Sequence, residues 1–263
     1  MLLHWSMADW DAKAYERISD PQFNWGLRVL ERLPLRGDET VVDQGCGTGR
    51  LTEVVAERLP RGKVIASDAS EAMLDTARAR LARFGDRVSF ERADAATWVA
   101  RPAVDAIFST ATYHWVRDHD ALFASIAASL RSGGRLVAQC GAAGNLARIR
   151  SRTAAMRARP DLARFFVGFA EPWTYATPDE TRARLERAGF AQVRVWSEPE
   201  PTRFESAGAL SEFVTKVILR DELPRLPDDA ARAAYLRELV DAAGKDDPRW
   251  TLDYVRLNID AVR

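Results

Sequence analysis

Cysteine occurs only twice in 263 residues, as Cys46 and Cys140. That number excludes a disulfide framework, and no CxxC pair offers a zinc site. No apolar run approaches the ~20 residues that a membrane-spanning helix needs. Excess charge is missing too. The 38 basic residues balance 38 acidic ones, so no global field draws the chain toward nucleic acid or an anionic membrane. The start, MLLHWSMADWD, has neither a basic opening nor an apolar core of signal-peptide length. Internal repeats and low-complexity linkers are absent as well. The expectation is a reduced, cytoplasmic protein with no nucleic-acid or membrane partner; whether it is a monomer or a homodimer stays open.

What is present is an ordinary globular composition, 47% hydrophobic and 29% charged. The length suits one large domain spanning 1–263. Short β-branched runs alternate with helical patterns. Strands are expected at 40–45, 63–68, 88–94, 104–110 and 135–141. Helices are expected at 49–59, 70–85 and 119–134, the last with a Gly-Gly stop. Ser70 is placed to cap the second of these helices. Single helices between buried strands imply parallel βαβ units with right-handed crossovers. The second half is less regular, with helical character over 145–170, a capped helix at 177–190 and an extended run at 191–204. Two helices follow in 206–243, and 252–263 alternates as an edge or antiparallel strand would. The expected fold is therefore α/β, a doubly wound sheet with helical insertions near 145–172 and 206–248. Insertions after strands emerge at the ligand end of such a sheet, so these two are placed to serve as a lid.

The stretch VVDQGCGTGR (41–50) puts three glycines within five residues. After a strand, such a loop lets backbone turn sharply and approach a ligand without a Cβ clash, and the following helix presents free N–H groups. A dinucleotide fingerprint GxGxxG would need its third glycine at 50, which is Arg50; the glycine falls at 49. No GxxxxGK[ST] loop is present either.

The pattern DxGxGxG, Asp43 to Gly49, resembles that of the class I S-adenosylmethionine-dependent methyltransferases. The resemblance implies a Rossmann-like seven-stranded sheet, mostly parallel with its last strand antiparallel. It also implies S-adenosylmethionine as cofactor and S-adenosylhomocysteine as product. Asp43, Gly45, Cys46, Gly47 and Gly49 would then cradle the methionine end, with Cys46 as a small loop filler. Asp68, beside Ala69, would accept the ribose hydroxyls, and Met73 would lie against adenine. Asp94 would accept from the adenine amino group and the Ala95 N–H would bond a ring nitrogen. Ser109 would lie near the methionine portion. Gln44 departs from the family, which often has an apolar residue there.

Two further segments, WDAKAYERISDPQFNWG (10–26) and STATYHWVRDHDALF (109–123), narrow the resemblance. They are similar to small-molecule methyltransferases related to trans-aconitate methyltransferase, a layout shared by juvenile hormone acid methyltransferases. Trp10, Tyr15, Gln22, His114 and Trp115 carry that likeness. It implies that Gln22 and Trp115 face the methyl-transfer site. An aromatic face attracts a sulfonium, and a carboxylate acceptor is already ionised at neutral pH. O-methylation of a small acid is therefore expected, with phenol, alcohol or amine acceptors open. His114, and after it His119, are the candidate bases should one be needed. A citrate-like acceptor would need cations, for which Arg148, Arg150, Arg152 and Arg220 are available. Three other readings compete. A macromolecular methyltransferase is disfavoured by the balanced charge and by the absence of an NPPY-like motif after strand four. A non-catalytic S-adenosylmethionine-binding protein remains open, and an NAD-dependent reductase is disfavoured by Arg50.

Overall fold

The computed structural model describes residues 20–263; Trp10 and Tyr15 lie outside the described residues. The first element is helix α1, Asp20–Leu30. Next come β1 (Thr40–Gln44), α2 (Arg50–Arg58), β2 (Lys63–Asp68), α3 (Glu71–Leu81), β3 (Val88–Arg92) and β4 (Val104–Thr110). A short 3-10 turn, Tyr113–Trp115, leads to α4 (His119–Ser129) and β5 (Leu130–Gly141). The rest of the chain forms α5 (Ala147–Arg157), α6 (Pro178–Arg187), β6 (Gln192–Pro199), β7 (Thr202–Arg203), α7 (Ala207–Phe213), α8 (Asp229–Ala243), β8 (Thr251–Leu252) and β9 (Val255–Val262).

Seven strands form one sheet in the order β3-β2-β1-β4-β5-β9-β6. The pairs β1–β2, β1–β4, β2–β3 and β4–β5 are parallel. β9 runs antiparallel between β5 and β6. The Gly133 N–H donates to Arg263 O at 2.7 Å, and the Ala142 N–H donates to Val255 O at 2.9 Å. On its other side the Ala191 N–H donates to Val262 O at 2.9 Å and the Glu200 N–H to Tyr254 O at 2.8 Å. β9 is thus antiparallel but internal, not an edge. β7 and β8 form a separate two-stranded antiparallel ribbon.

Local chemistry explains most boundaries. Ser70 caps α3, its Oγ accepting from the Met73 N–H at 3.3 Å, with Glu71 in the first turn and Arg78 and Arg80 in the last. Asp118 caps α4 through the Ala121 N–H at 2.9 Å. α6 ends in a Schellman arrangement. The Phe190 N–H reaches Leu185 O at 3.1 Å, the Gly189 N–H reaches Glu186 O at 3.0 Å, and Gly189 has φ +93°. Three expected boundaries move. The helical character expected over 145–170 ends at Arg157, before a separate 3-10 turn at Ala163–Phe166. The helix expected at 70–85 gives way at Ala82 to a 3-10 stretch through Arg87. The helix expected at 119–134 stops at Ser129. Leu130 is buried and pairs with Val104, while Ala106 pairs with Arg135, so Gly133 and Gly134 lie in a strand irregularity rather than at a helix stop.

The chain divides into two compact units. One comprises residues 1–140, 178–196 and 258–263; the other comprises 141–177 and 197–257. The first has a core from Val29, Leu30, Val55, Leu59, Leu74 and Phe108, where the helices cover the parallel strands. Arg32 braces α1 on that unit. It donates to Asn258 Oδ1 at 2.6 Å and to Ala138 O at 3.1 Å, pairs with Asp260 at 3.1 Å, and lies 4.8 Å over the Trp196 ring. No helix among the described residues is long and apolar enough to cross a membrane.

Candidate functional site

The loop after β1 is hooked onto β2, because the N–H groups of Gly45 and Cys46 both donate to Ser67 O, at 2.7 and 3.0 Å. Gly45 has φ +77°, and a Cβ there would lie 2.0 Å from Thr112 Oγ1. No side chain fits at that position while Thr112 stands across from it. Gly47 differs. Its φ is +54°, yet a Cβ there would meet nothing within 4 Å. The backbone faces open space at this point, as a cradle for a ligand requires. Gly49 packs its backbone against α3, where a Cβ would meet Leu81 at 3.0 Å and Ala77 at 3.1 Å. Cys46 is buried, and burial together with Asp43 and Asp68 pushes its thiol well up. It is a neutral loop filler, not a thiolate.

Asp43 is 2% exposed and accepts from Thr52 Oγ1 at 2.6 Å. Burial pushes its carboxyl up to about 7; the Thr52 hydrogen bond opposes that rise and the nearby Asp68 charge adds to it. Asp68 closes β2. Its Oδ2 accepts from the Gly47 N–H and its Oδ1 from the Ser70 N–H, both at 2.9 Å. The carboxylate therefore orders the loop. Ala69 beside it is exposed, whereas Met73 is buried in the first turn of α3. Asp94 is exposed beyond β3, its Oδ1 accepting from the Ala96 N–H at 2.9 Å. Among the described residues the Ala95 N–H has no hydrogen-bond partner, while Ala95 O accepts from Ser125. Ser109 is buried and its hydroxyl donates to Gln44 O at 2.6 Å.

β4 leads into the Tyr113–Trp115 turn. His114 is buried, and its ring lies 5.3 Å from that of Trp115 at an interplanar angle of 37°. His119 sits at the start of α4, with Nε2 at 3.0 Å from Tyr113 O. That geometry makes Nε2 the N–H donor, and burial holds the imidazole below its ordinary value. His119 is therefore a neutral fold-bearing group that keeps only a buried Nδ1 lone pair. On α1, Gln22 Oε1 is buried without a hydrogen-bond partner among the described residues. Three residues here carry no motif of their own. Thr112 fills the space above Gly45, while Gln44 and Tyr113 bond to each other through their side chains. The one visible signal was Gln44 itself, at a position where the family it resembles often has an apolar residue.

In the second unit the expected cations are already matched. Arg148 pairs with Asp246 at 3.5 Å, Arg152 with Asp246 at 2.5 Å, Arg150 with Glu171, and Arg220 with Asp221 at 3.5 Å. Arg157, Glu222 and Tyr235 form a buried network, with Arg157 to Glu222 at 2.5 Å and the Tyr235 hydroxyl to Glu222 at 2.8 Å. These arginines hold the insertions together, so their number alone says little about an acidic acceptor.

Comparisons with known proteins agree with the loop. Residues 41–134 match a methyltransferase domain model. The chain is 35% identical to trans-aconitate 2-methyltransferase of Methylobacterium radiotolerans, over 88% of this chain and 87% of that protein. It is 31% identical to trans-aconitate 2-methyltransferase of Azoarcus sp., covering 98% of this chain and 100% of that one. Among solved structures, Haemonchus contortus phosphoethanolamine N-methyltransferase 2 in complex with S-adenosyl-L-methionine superposes with a TM-score of 0.61. That match has 19% identity and covers 96% of this chain and 56% of the other. Likeness at this identity concerns the fold.

Proposed function

The chain belongs to the trans-aconitate 2-methyltransferase family of S-adenosylmethionine-dependent methyltransferases, and we propose on that premise that it methylates a carboxylate oxygen of a small polycarboxylic acid. The observation that carries the reading is the likeness to relatives of that name along nearly the whole chain, insertions included.

The residues present fit the methyl donor. Gly47 leaves the space that a Cβ would otherwise enter, and the Ala95 N–H has no partner among the described residues. Asp68 stands beside the loop after β1 at the end of β2, its carboxylate holding the Gly47 and Ser70 N–H groups. Asp43, Gly45, Cys46, Gly47, Gly49 and Ser109 form the methionine side. Asp68 and Ala69 take the ribose, and Met73, Asp94 and Ala95 take the adenine. When bound, S-adenosylmethionine supplies a methyl group already activated on a sulfonium.

What remains for the protein is alignment, the term that dominates such transfers. An acceptor carboxylate, with a pKa of about 4, needs no general base at neutral pH. His114 accordingly shapes the acceptor wall rather than moving a proton. Trp115 presents a ring face, and Gln22 offers its amide to an acceptor oxygen. We place the chain's work in one methyltransferase domain with insertions at 145–172 and 206–248. Two buried free thiols support a reducing, cytoplasmic setting.

The test is a transfer assay with methyl-labelled donor across trans-aconitate, other small acids, phenols and amines. Label should enter the acids and be released by mild alkali, as from a methyl ester. Alkali-stable label in phenols or amines, with every acid unlabelled, would overturn the acceptor class.

A further inference from the structure

The Tyr113 side chain joins the loop after β1 to the turn that carries His114 and Trp115. The Tyr113 hydroxyl donates to Gln44 Oε1 at 3.0 Å, and both residues are buried. Gln44 is the last residue of β1, immediately before Gly45. The Tyr113 carbonyl accepts twice, from the Val116 N–H at 3.0 Å and from His119 Nε2 at 3.0 Å. Its ring packs edge-on against Phe123 at 6.3 Å, and Phe123 also meets the His119 ring at 6.0 Å. Burial holds the phenol far above its ordinary value, so it stays a donor at any working pH. Two shorter links run alongside. Ser109 donates to Gln44 O at 2.6 Å, and Thr112 Oγ1 lies 3.4 Å from Gly45 O.

We propose that Tyr113 is a positioning residue that couples the methyl-donor loop to the acceptor wall through its hydrogen bond to Gln44. A shift of the loop backbone on donor binding moves Gln44. Tyr113 follows, because its hydroxyl would otherwise be left buried and unpaired. The Trp115 N–H, bonded to Thr112 O at 2.9 Å, follows with the turn. Donor binding thereby sets the orientation of Trp115 before the acceptor arrives. The proposal rests on the assignment of Trp115 to the acceptor side, but not on which acid is methylated.

The experiment uses the full chain labelled with 5-fluorotryptophan, the Trp115 resonance being identified by its loss in Trp115→Phe. S-adenosylhomocysteine should shift that resonance in the wild type. In Tyr113→Phe, and independently in Gln44→Met, the calorimetric Kd for S-adenosylhomocysteine should stay within about twofold while the Trp115 shift shrinks. With trans-aconitate as probe acceptor, KM should rise about fivefold to tenfold, the loss expected for one buried hydrogen bond. The double variant should be no worse than either single one, since both act on one bond. A merely structural role would instead lower thermal stability and donor affinity together, and that result overturns the proposal. So does a Trp115 resonance that ignores the ligand in the wild type, or that responds equally in the wild type and both variants. Failure of the acceptor-side assignment reads differently, as unchanged turnover in Trp115→Phe.

Discussion

Asp43 sits at the end of β1, 2% exposed, with burial raising its carboxyl to about 7. A carboxyl that ionises near 4 in the unfolded chain binds its proton more tightly when folded. The folded state therefore holds the extra proton between about pH 4 and 7, and stability falls as pH rises through that window. The full cost above pH 7 is roughly 4 kcal/mol at 1.36 kcal/mol per pH unit. Asp43→Asn keeps an oxygen for Thr52 and cannot ionise. Urea unfolding should show the variant close to wild type near pH 4 and several kcal/mol more stable at pH 8; a difference independent of pH would contradict the assignment. Above about pH 7, where the carboxyl is ionised, its charge beside the loop after β1 suits a cationic ligand. Asp43→Asn should accordingly weaken S-adenosylmethionine more than S-adenosylhomocysteine in calorimetry. The glycines separate fold from site in the same way. Gly45→Ala meets Thr112 at 2.0 Å and should lower stability. Gly47→Ala meets nothing within 4 Å, so it should lose only the ~1–2 kcal/mol of a left-handed alanine while donor affinity falls much further. Equal stability losses in the two variants would contradict this division.

At the scale of elements, α1 carries Gln22, which we propose faces the acceptor, and just past its far end Arg32 is pinned to Asn258, Ala138 and Asp260. Arg32→Met should cost about 3 kcal/mol in urea unfolding, since it strands partners that are largely buried. By contrast, removing the part-exposed Lys216–Glu212 pair, which joins α7 to the π-helical stretch that follows it, should cost no more than about 0.5 kcal/mol. A loss at Arg32 no larger than the loss at Lys216 would show that the brace is incidental. The same contrast between local and distant partners explains what the sequence makes legible. β1, β2 and β4 are buried on both faces and read directly as short β-branched runs. The glycine loop after β1 reads from local spacing, because three glycines and a strand-end acid are local signals; its assignment to the methyl donor comes from the family resemblance. Leu130–Gly134 misleads for the opposite reason. Its strand character comes from Val104 and Arg263, far along the chain, while the local sequence looks like a helix with a glycine stop. Gln44 and Tyr113 are 69 residues apart, so their bond leaves no local pattern. The arginines of the insertions look like an acid-binding set until their carboxylate partners are seen.

For the whole molecule, ligand binding and stability are linked. The residues assigned to the donor lie on the ends of β1, β2, β3 and β4 and on the connections that follow them, all within one compact unit. A ligand that bridges four separate chain segments binds the folded state and has no comparable site on the unfolded chain. At one hundred times its Kd, such a ligand stabilises the fold by about 2.7 kcal/mol. For a protein of this size that is an increase in Tm of roughly 5–10 °C. S-adenosylmethionine and S-adenosylhomocysteine should both produce it in a thermal shift assay. NAD should not, because the loop has Arg50 where the pyrophosphate fingerprint needs glycine. Asp68→Ala should lose most of the ligand-induced shift and some of the ligand-free stability as well, since Asp68 also holds the N–H groups of Gly47 and Ser70. The two losses are separable by comparing Tm with and without ligand. A shift that survives intact in Asp68→Ala would leave Asp68 as a loop-ordering residue and remove it from the ribose site.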